Sequence, residues 1–106
     1  MPGYATLARV DEVPPGAIYE VEHDGRSLLI VNAAGAIHVI DALCTHLEGP
    51  LSQGAVEGDV IACPWHGARF DLATGAPVHR PATRPLATYE VQIDRGEIRI
   101  REPERT

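Results

Sequence analysis

At 106 residues, with 44% hydrophobic and 23% charged side chains, the chain has the length for one packed domain, and a second independent core would be too small to hold itself together. A net charge of −6 without any run of basic residues excludes an electrostatic grip on nucleic acid or on an anionic membrane. No stretch approaches the ~20 apolar residues of a membrane span, and Met1 to Arg9 lacks the basic start and apolar run of a signal peptide, so the expected location is cytoplasmic.

Strand signals dominate in chain order. Ile18 to Glu22 alternates, Ser27 to Val31 is an apolar run after the turn residues Asp24-Gly25, and Ala36 to Ile40 follows a break at Gly35. These three segments predict an antiparallel meander. Val60 to Ala62 predicts a short strand leading into Cys63. Leu86 to Ile93 and Glu97 to Arg101 predict a hairpin around Asp94-Arg95-Gly96, with Val91, Ile93, Ile98 and Ile100 on its inward face. Nine prolines and ten glycines are spread through the chain, and no window keeps a helical period for three turns; at most one turn of helix is expected after Thr45. The pattern predicts an all-β sandwich or barrel over a single unit, 1–106.

Two segments do not read as ordinary hairpins. Residues 43–58 and 63–85 are rich in Gly, Pro, Ser and Thr, and long loops in a small domain are usually functional or ordered by something bound. The first carries Cys44-Thr45-His46 and the second Cys63-Pro64-Trp65-His66, with 16 residues between the two boxes. Each box offers one thiolate and one imidazole, so two loop tips face to face would enclose a four-ligand S₂N₂ set. Such a set suits zinc or an iron–sulfur centre and suits calcium or magnesium badly. A Cys44–Cys63 disulfide would leave both histidines unexplained, and two structural cysteines would require both Cys–His pairings to be coincidence. Mononuclear zinc is the serious competitor on ligand type. The single residue between Cys44 and His46 is tight for two ligands on one tetrahedral ion and comfortable if the side chains reach different irons.

Cys-Thr-His-Leu at 44–47 and Cys-Pro-Trp-His-Gly at 63–67 resemble the Rieske iron–sulfur family, and the flanking strands and the Pro-rich stretch Arg80 to Pro85 fit that resemblance over nearly the whole chain. The resemblance implies a Rieske-like antiparallel β sandwich with a small cluster-binding subdomain formed by two loops. It also implies one 2Fe–2S cluster, with Cys44 and Cys63 on one iron and His46 and His66 on the other. Two ferric ions, two sulfides and two thiolates sum to a neutral cluster, which accepts an electron more readily than the dianion that four thiolates would give.

The respiratory branch of that family adds two cysteines that form a disulfide between the loops; Gly49 and Trp65 occupy those places here. That branch also has a serine and a tyrosine whose hydroxyls donate to cluster sulfur, where this chain has Ala68 and Phe70. Without those donors the added electron is less stabilised, so the expected potential lies at the low end of the Rieske range, roughly −150 mV. The resemblance therefore points to a ferredoxin: a soluble electron carrier and not itself an enzyme. It would take electrons from a flavin-dependent NAD(P)H reductase and pass them to a terminal oxygenase. Alternatives are the Rieske-like small subunit of an assimilatory nitrite reductase and a zinc-stabilised binding module. A monomer is expected of a shuttle that must dissociate.

Among the remaining residues, His23 is expected in a turn, His38 in a strand and His79 at the surface, none of them a ligand. Trp65 is expected to shield the cluster, to meet a partner, or simply to pack. Leu47, Pro64 and Pro81 are candidates for an apolar cover that limits water at the cluster.

Overall fold

Four consecutive apolar residues, Leu28 to Val31, are all fully buried. A strand with one wet face would alternate; an unbroken apolar run belongs to a strand covered on both faces. The computed structural model describes residues 4–42, 51–64, 68–79 and 86–101, with His79 described by its backbone alone. Within these, the strands are β1 (Tyr4–Arg9), β2 (Ile18–His23), β3 (Arg26–Ala33), β4 (Ala36–Asp41), β5 (Ala55–Glu57), β6 (Val60–Ala62), β7 (Arg69–Asp71), β8 (Pro77–His79), β9 (Thr88–Tyr89), β10 (Val91–Asp94) and β11 (Glu97–Arg101).

They form three antiparallel sheets. The middle sheet has the order β2-β3-β4-β9, the second β1-β11-β10, and the third β5-β6-β7-β8. The two cores lie on opposite faces of the middle sheet. Leu28, Ile30 and Val39 pack with Ile98 and Ile100 of the second sheet. Leu29, Val31 and Ile40 pack with Ile61, Phe70 and Leu72 of the third. Neighbouring side chains of β3 point to opposite faces, so its apolar run feeds both cores, each buried Leu or Ile contributing about 1.5–3 kcal/mol.

Three hairpins turn on two residues. Asp24-Gly25, Ala34-Gly35 and Arg95-Gly96 all have positive φ at both positions, the signature of the type I′ turn that matches strand twist. Ala34, at φ 54°, lacks the side-chain compensation that lets Asn or Asp sit there. Ala34→Gly is therefore expected to raise stability by about 0.5–1 kcal/mol, read as an increase in the urea midpoint. Beside this turn, buried Asn32 donates from Nδ2 to the Val13 carbonyl (2.7 Å) and accepts at Oδ1 from the Gly35 N–H (2.7 Å), so neither end of its amide is left unsatisfied.

The all-β expectation and the 18–40 meander hold. Leu86 to Ile93, expected as one strand, breaks at Glu90: β9 stays on the middle sheet and β10 crosses to the second. Ile98 and Ile100 face inward as expected, whereas Ile93 is 47% exposed because β10 is a sheet edge and Ile93 stands beside the 95–96 turn. His23 closes β2 instead of sitting in the turn. Segments 43–58 and 63–85, expected as loops, contain β5, β7 and β8 together with a 3-10 turn, Leu51–Gln53. The expected turn of helix immediately after Thr45 lies outside the described residues. Among the described residues, no helix is long and apolar enough to cross a membrane.

Candidate iron–sulfur site

β4 ends at Asp41 and hands the chain to Ala42, which is buried. The Ala42 N–H donates to the Ser27 carbonyl (3.1 Å), and its carbonyl accepts from the Leu51 N–H (3.1 Å). Segment 43–50, which carries Cys44 and His46, thus leaves and returns at one point. The second segment has a base of its own. The Cys63 N–H donates to the Ala68 carbonyl at 2.6 Å, adding a rung beyond the β6–β7 pair Ala62–Arg69 and closing the hairpin below 64–67.

These two bases share one core. Ala42 and Leu51 from the first pack with Cys63 and Ala68 from the second, together with Ile61 and Phe70. Gly54 makes this approach possible. Its N–H donates to Leu51 (2.9 Å), and a Cβ at Gly54 would run into the Ala62 carbonyl oxygen. Backbone cannot swing aside as a side chain can, so Gly54→Ala is expected to cost about 1–3 kcal/mol of stability and to weaken metal retention. Thermal melts and iron content of the purified variant check both.

A third base holds segment 80–85. The Leu86 N–H donates to Gly75 (2.8 Å), and Gly75, at φ +78°, lies so close to the Leu86 carbonyl that a side chain there would collide with it. The β7–β8 turn that presents Gly75 is shaped by Asp71, whose Oδ1 accepts from the Ala73 (2.9 Å) and Thr74 (3.1 Å) N–H groups. β8 carries an irregularity opposite Arg69 and Phe70, placing Val78 outward at 51% exposure.

Of the four expected ligands, Cys63 is placed at the mouth of the β6–β7 hairpin with 2% exposure. Cys44, His46 and His66 lie outside the described residues, as do Leu47, Gly49, Trp65 and Pro81. Among the described residues no group of three or more His, Cys, Asp or Glu could hold a metal ion. His38 is half-buried on β4, and the His79 backbone is in β8. Pro64, expected in the apolar cover, is exposed; the buried apolar groups about Cys63 are Leu51, Ile61, Ala68 and Phe70. Ala68 and Phe70, on which the low-potential expectation rests, are both fully buried. The donor chemistry fits a mixed-ligand 2Fe–2S cluster: two thiolates and two imidazoles on two loops, with the described thiol in a dry apolar setting.

The fold, with a β sandwich carrying a small three-hairpin lobe, and the two Cys–His boxes define an iron–sulfur protein of the Rieske kind. A profile of the Rieske [2Fe-2S] domain matches residues 3–90, and the chain belongs to that family; its cofactor is one 2Fe–2S cluster. It is similar to ferredoxin CarAc of Metapseudomonas resinovorans, 38% identical over 95 residues that cover 89% of each chain. Among solved structures, the Sphingomonas yanoikuyae B1 ferredoxin is 36% identical with a TM-score of 0.90, covering 95% of this chain and 100% of that one. The ferredoxin-like chain from a complex of reduced oxygenase and oxidized ferredoxin in carbazole 1,9a-dioxygenase is 31% identical with a TM-score of 0.88, covering 97% of this chain and 96% of that one. A nitrite reductase small subunit from Mycobacterium tuberculosis, described as putative and NADH-dependent, shares the fold at 19% identity and a TM-score of 0.85.

Proposed function

We infer that the chain is the ferredoxin component of a ring-hydroxylating oxygenase system, a one-electron carrier between a flavin-dependent NAD(P)H reductase and a terminal oxygenase. The observation that carries this reading is the meeting of the two loop bases, Ala42/Leu51 and Cys63/Ala68, in one apolar core, in a chain whose relatives include named ferredoxin components of such systems. Cys44 and Cys63 are assigned to one iron, His46 and His66 to the other. When bound, the cluster supplies a single site for reversible one-electron exchange.

The chain's own part is to hold and insulate. Three antiparallel hairpins and the Gly54 and Gly75 contacts fix the loop bases. Leu51, Ile61, Ala68 and Phe70 keep water from the Cys63 side. The unit is taken as one domain, 1–106, in the cytoplasm, and as a monomer because a shuttle must release each partner. A net charge of −6 suits docking to partners that present basic residues.

Absorption and low-temperature EPR spectra before and after dithionite test the reading. A red-brown protein that bleaches on reduction and then gives an EPR signal is the expected result, followed by reduction with NADH and a flavin reductase and re-oxidation by an oxygenase. A colourless protein holding one zinc would overturn it. The nitrite reductase reading draws on fold likeness alone, whereas relatives at 34–37% identity are named as dioxygenase ferredoxins.

A further inference from the structure

The end of the middle sheet where segment 43–50 departs and the chain arrives from 80–85 carries a chain of three side chains that the cofactor reading does not use. Arg26, first residue of β3, donates from Nη1 to the Tyr89 hydroxyl at 2.8 Å. Tyr89, last residue of β9, donates in turn to Oδ1 of Asp41, last residue of β4, also at 2.8 Å. The Arg26 guanidinium carbon is 5.7 Å from the Tyr89 ring centroid. Its hydrogen bond to the hydroxyl already imposes a distance of that order, so no separate stacking energy is counted.

Each residue of the chain adjoins a loop base. Asp41 precedes Ala42, the base of segment 43–50, and its own N–H donates to the Ala87 carbonyl at 3.1 Å. Ala87 and Tyr89 belong to the stretch by which the backbone comes back from 80–85 to the middle sheet. That return is made by a strand of two residues, paired with β4 through Thr88–Ile40 and Tyr89–Val39. So short a strand makes few ladder bonds, and the side-chain bridge adds a second fastening across it. Burial, and then the bond to the Asp41 carboxylate, push the Tyr89 phenol upward, so it keeps the donating proton throughout the ordinary pH range.

We propose that Tyr89 is a positioning residue for the cluster: its hydroxyl, bridging Arg26 and Asp41, fixes the base of the Cys44–His46 loop against the strand that follows segment 80–85. This rests on the assignment of Cys44 and His46 as ligands. A looser base would let the loop carrying one thiolate and one imidazole sample more positions, and the iron environment would become heterogeneous before the fold as a whole failed.

The test uses the cluster-loaded protein and three variants. Tyr89→Phe removes only the bridging oxygen. Asp41→Asn keeps an acceptor at the same place, and Ile98→Val loosens the core against which the Tyr89 ring also packs while leaving all three bridging side chains in place. The readouts are the rate of iron release to a chelator, the width of the reduced EPR signal and the thermal midpoint. Expected for Tyr89→Phe is iron release several-fold faster and a broadened signal, at a thermal midpoint no lower than that of Ile98→Val. Asp41→Asn is expected to stay near wild type on all three.

Unchanged release and line shape in Tyr89→Phe would overturn the proposal. So would equal acceleration in Ile98→Val, since the hydroxyl would then act only through global stability. Should Tyr89→Phe fail to fold, Asp41→Ala against Asp41→Asn asks the same question, and equal release rates in that pair would overturn it. Failure of the ligand assignment looks different: the wild-type protein itself would lack the cluster spectrum.

Discussion

Cys63→Ala is expected to give a colourless protein with iron and sulfide near zero and no EPR signal after reduction. One thiolate of the pair on the cysteine-bound iron would be gone, and neither water nor a backbone carbonyl replaces a thiolate toward ferric iron in a dry site. The same variant separates the metal's contribution from that of packing. Cys63 is 2% exposed and packs with Leu51, Ala68 and Phe70, so trimming its sulfur leaves a small void as well as an incomplete ligand set. A cluster that binds only the folded chain stabilises it by mass action, and its loss should lower the thermal midpoint well beyond what the void accounts for. Cys63→Ser is the companion variant, since it fills the space nearly as well. Equal colour loss in both, with Ala and Ser melting alike, would assign the stability change to the cluster. Retained colour in Cys63→Ala would remove Cys63 from the ligand set.

The parts of this fold that were legible in the sequence are those whose signal is local. The Asp24-Gly25 and Arg95-Gly96 dipeptides announced hairpins because few residue pairs tolerate two successive positive φ angles. The Ser27–Val31 run announced a strand, though its meaning, cores on both faces, needed the second and third sheets to be placed. β1 was missed because an irregularity between Thr6 and Ala8 breaks its alternation. β5, β7 and β8 were missed because three residues such as Arg69-Phe70-Asp71 carry too little pattern to outweigh the Gly and Pro around them.

Site residues divide the same way. The two Cys–His boxes were visible because metal-ligand chemistry restricts residue type and spacing. Arg26, Asp41 and Tyr89 were not: the hydrogen bonds between them span 63 and 48 residues, and no motif marks a tyrosine that bridges two strands. Gly54 and Gly75 were equally silent, because a close backbone approach is written only in three dimensions.

Phe70 carries the other large expected effect, and its two substitutions pull in different directions. The ring is fully buried on β7, opposite Ile61 and Pro77, in the core that joins the middle sheet to the cluster lobe. Phe70→Ala is expected to destabilise by about 3–5 kcal/mol, read from urea melts of the loaded protein, because the rigid hairpins around it close the cavity only in part. Phe70→Tyr keeps the packing and adds one hydroxyl. If that hydroxyl reaches a cluster sulfur, it donates to an atom that becomes more negative on reduction, so it stabilises the reduced form more than the oxidised one. The midpoint then rises from the expected roughly −150 mV, by about 59 mV for each tenfold gain in the reduction equilibrium. Stability checks the geometry independently. A hydroxyl buried without a partner costs about 1–3 kcal/mol, whereas one bonded to sulfur costs little. A higher potential at unchanged stability places the Phe70 ring edge toward the cluster. Lower stability at an unchanged potential places that edge in the hydrocarbon core, and the potential would then owe nothing to this position.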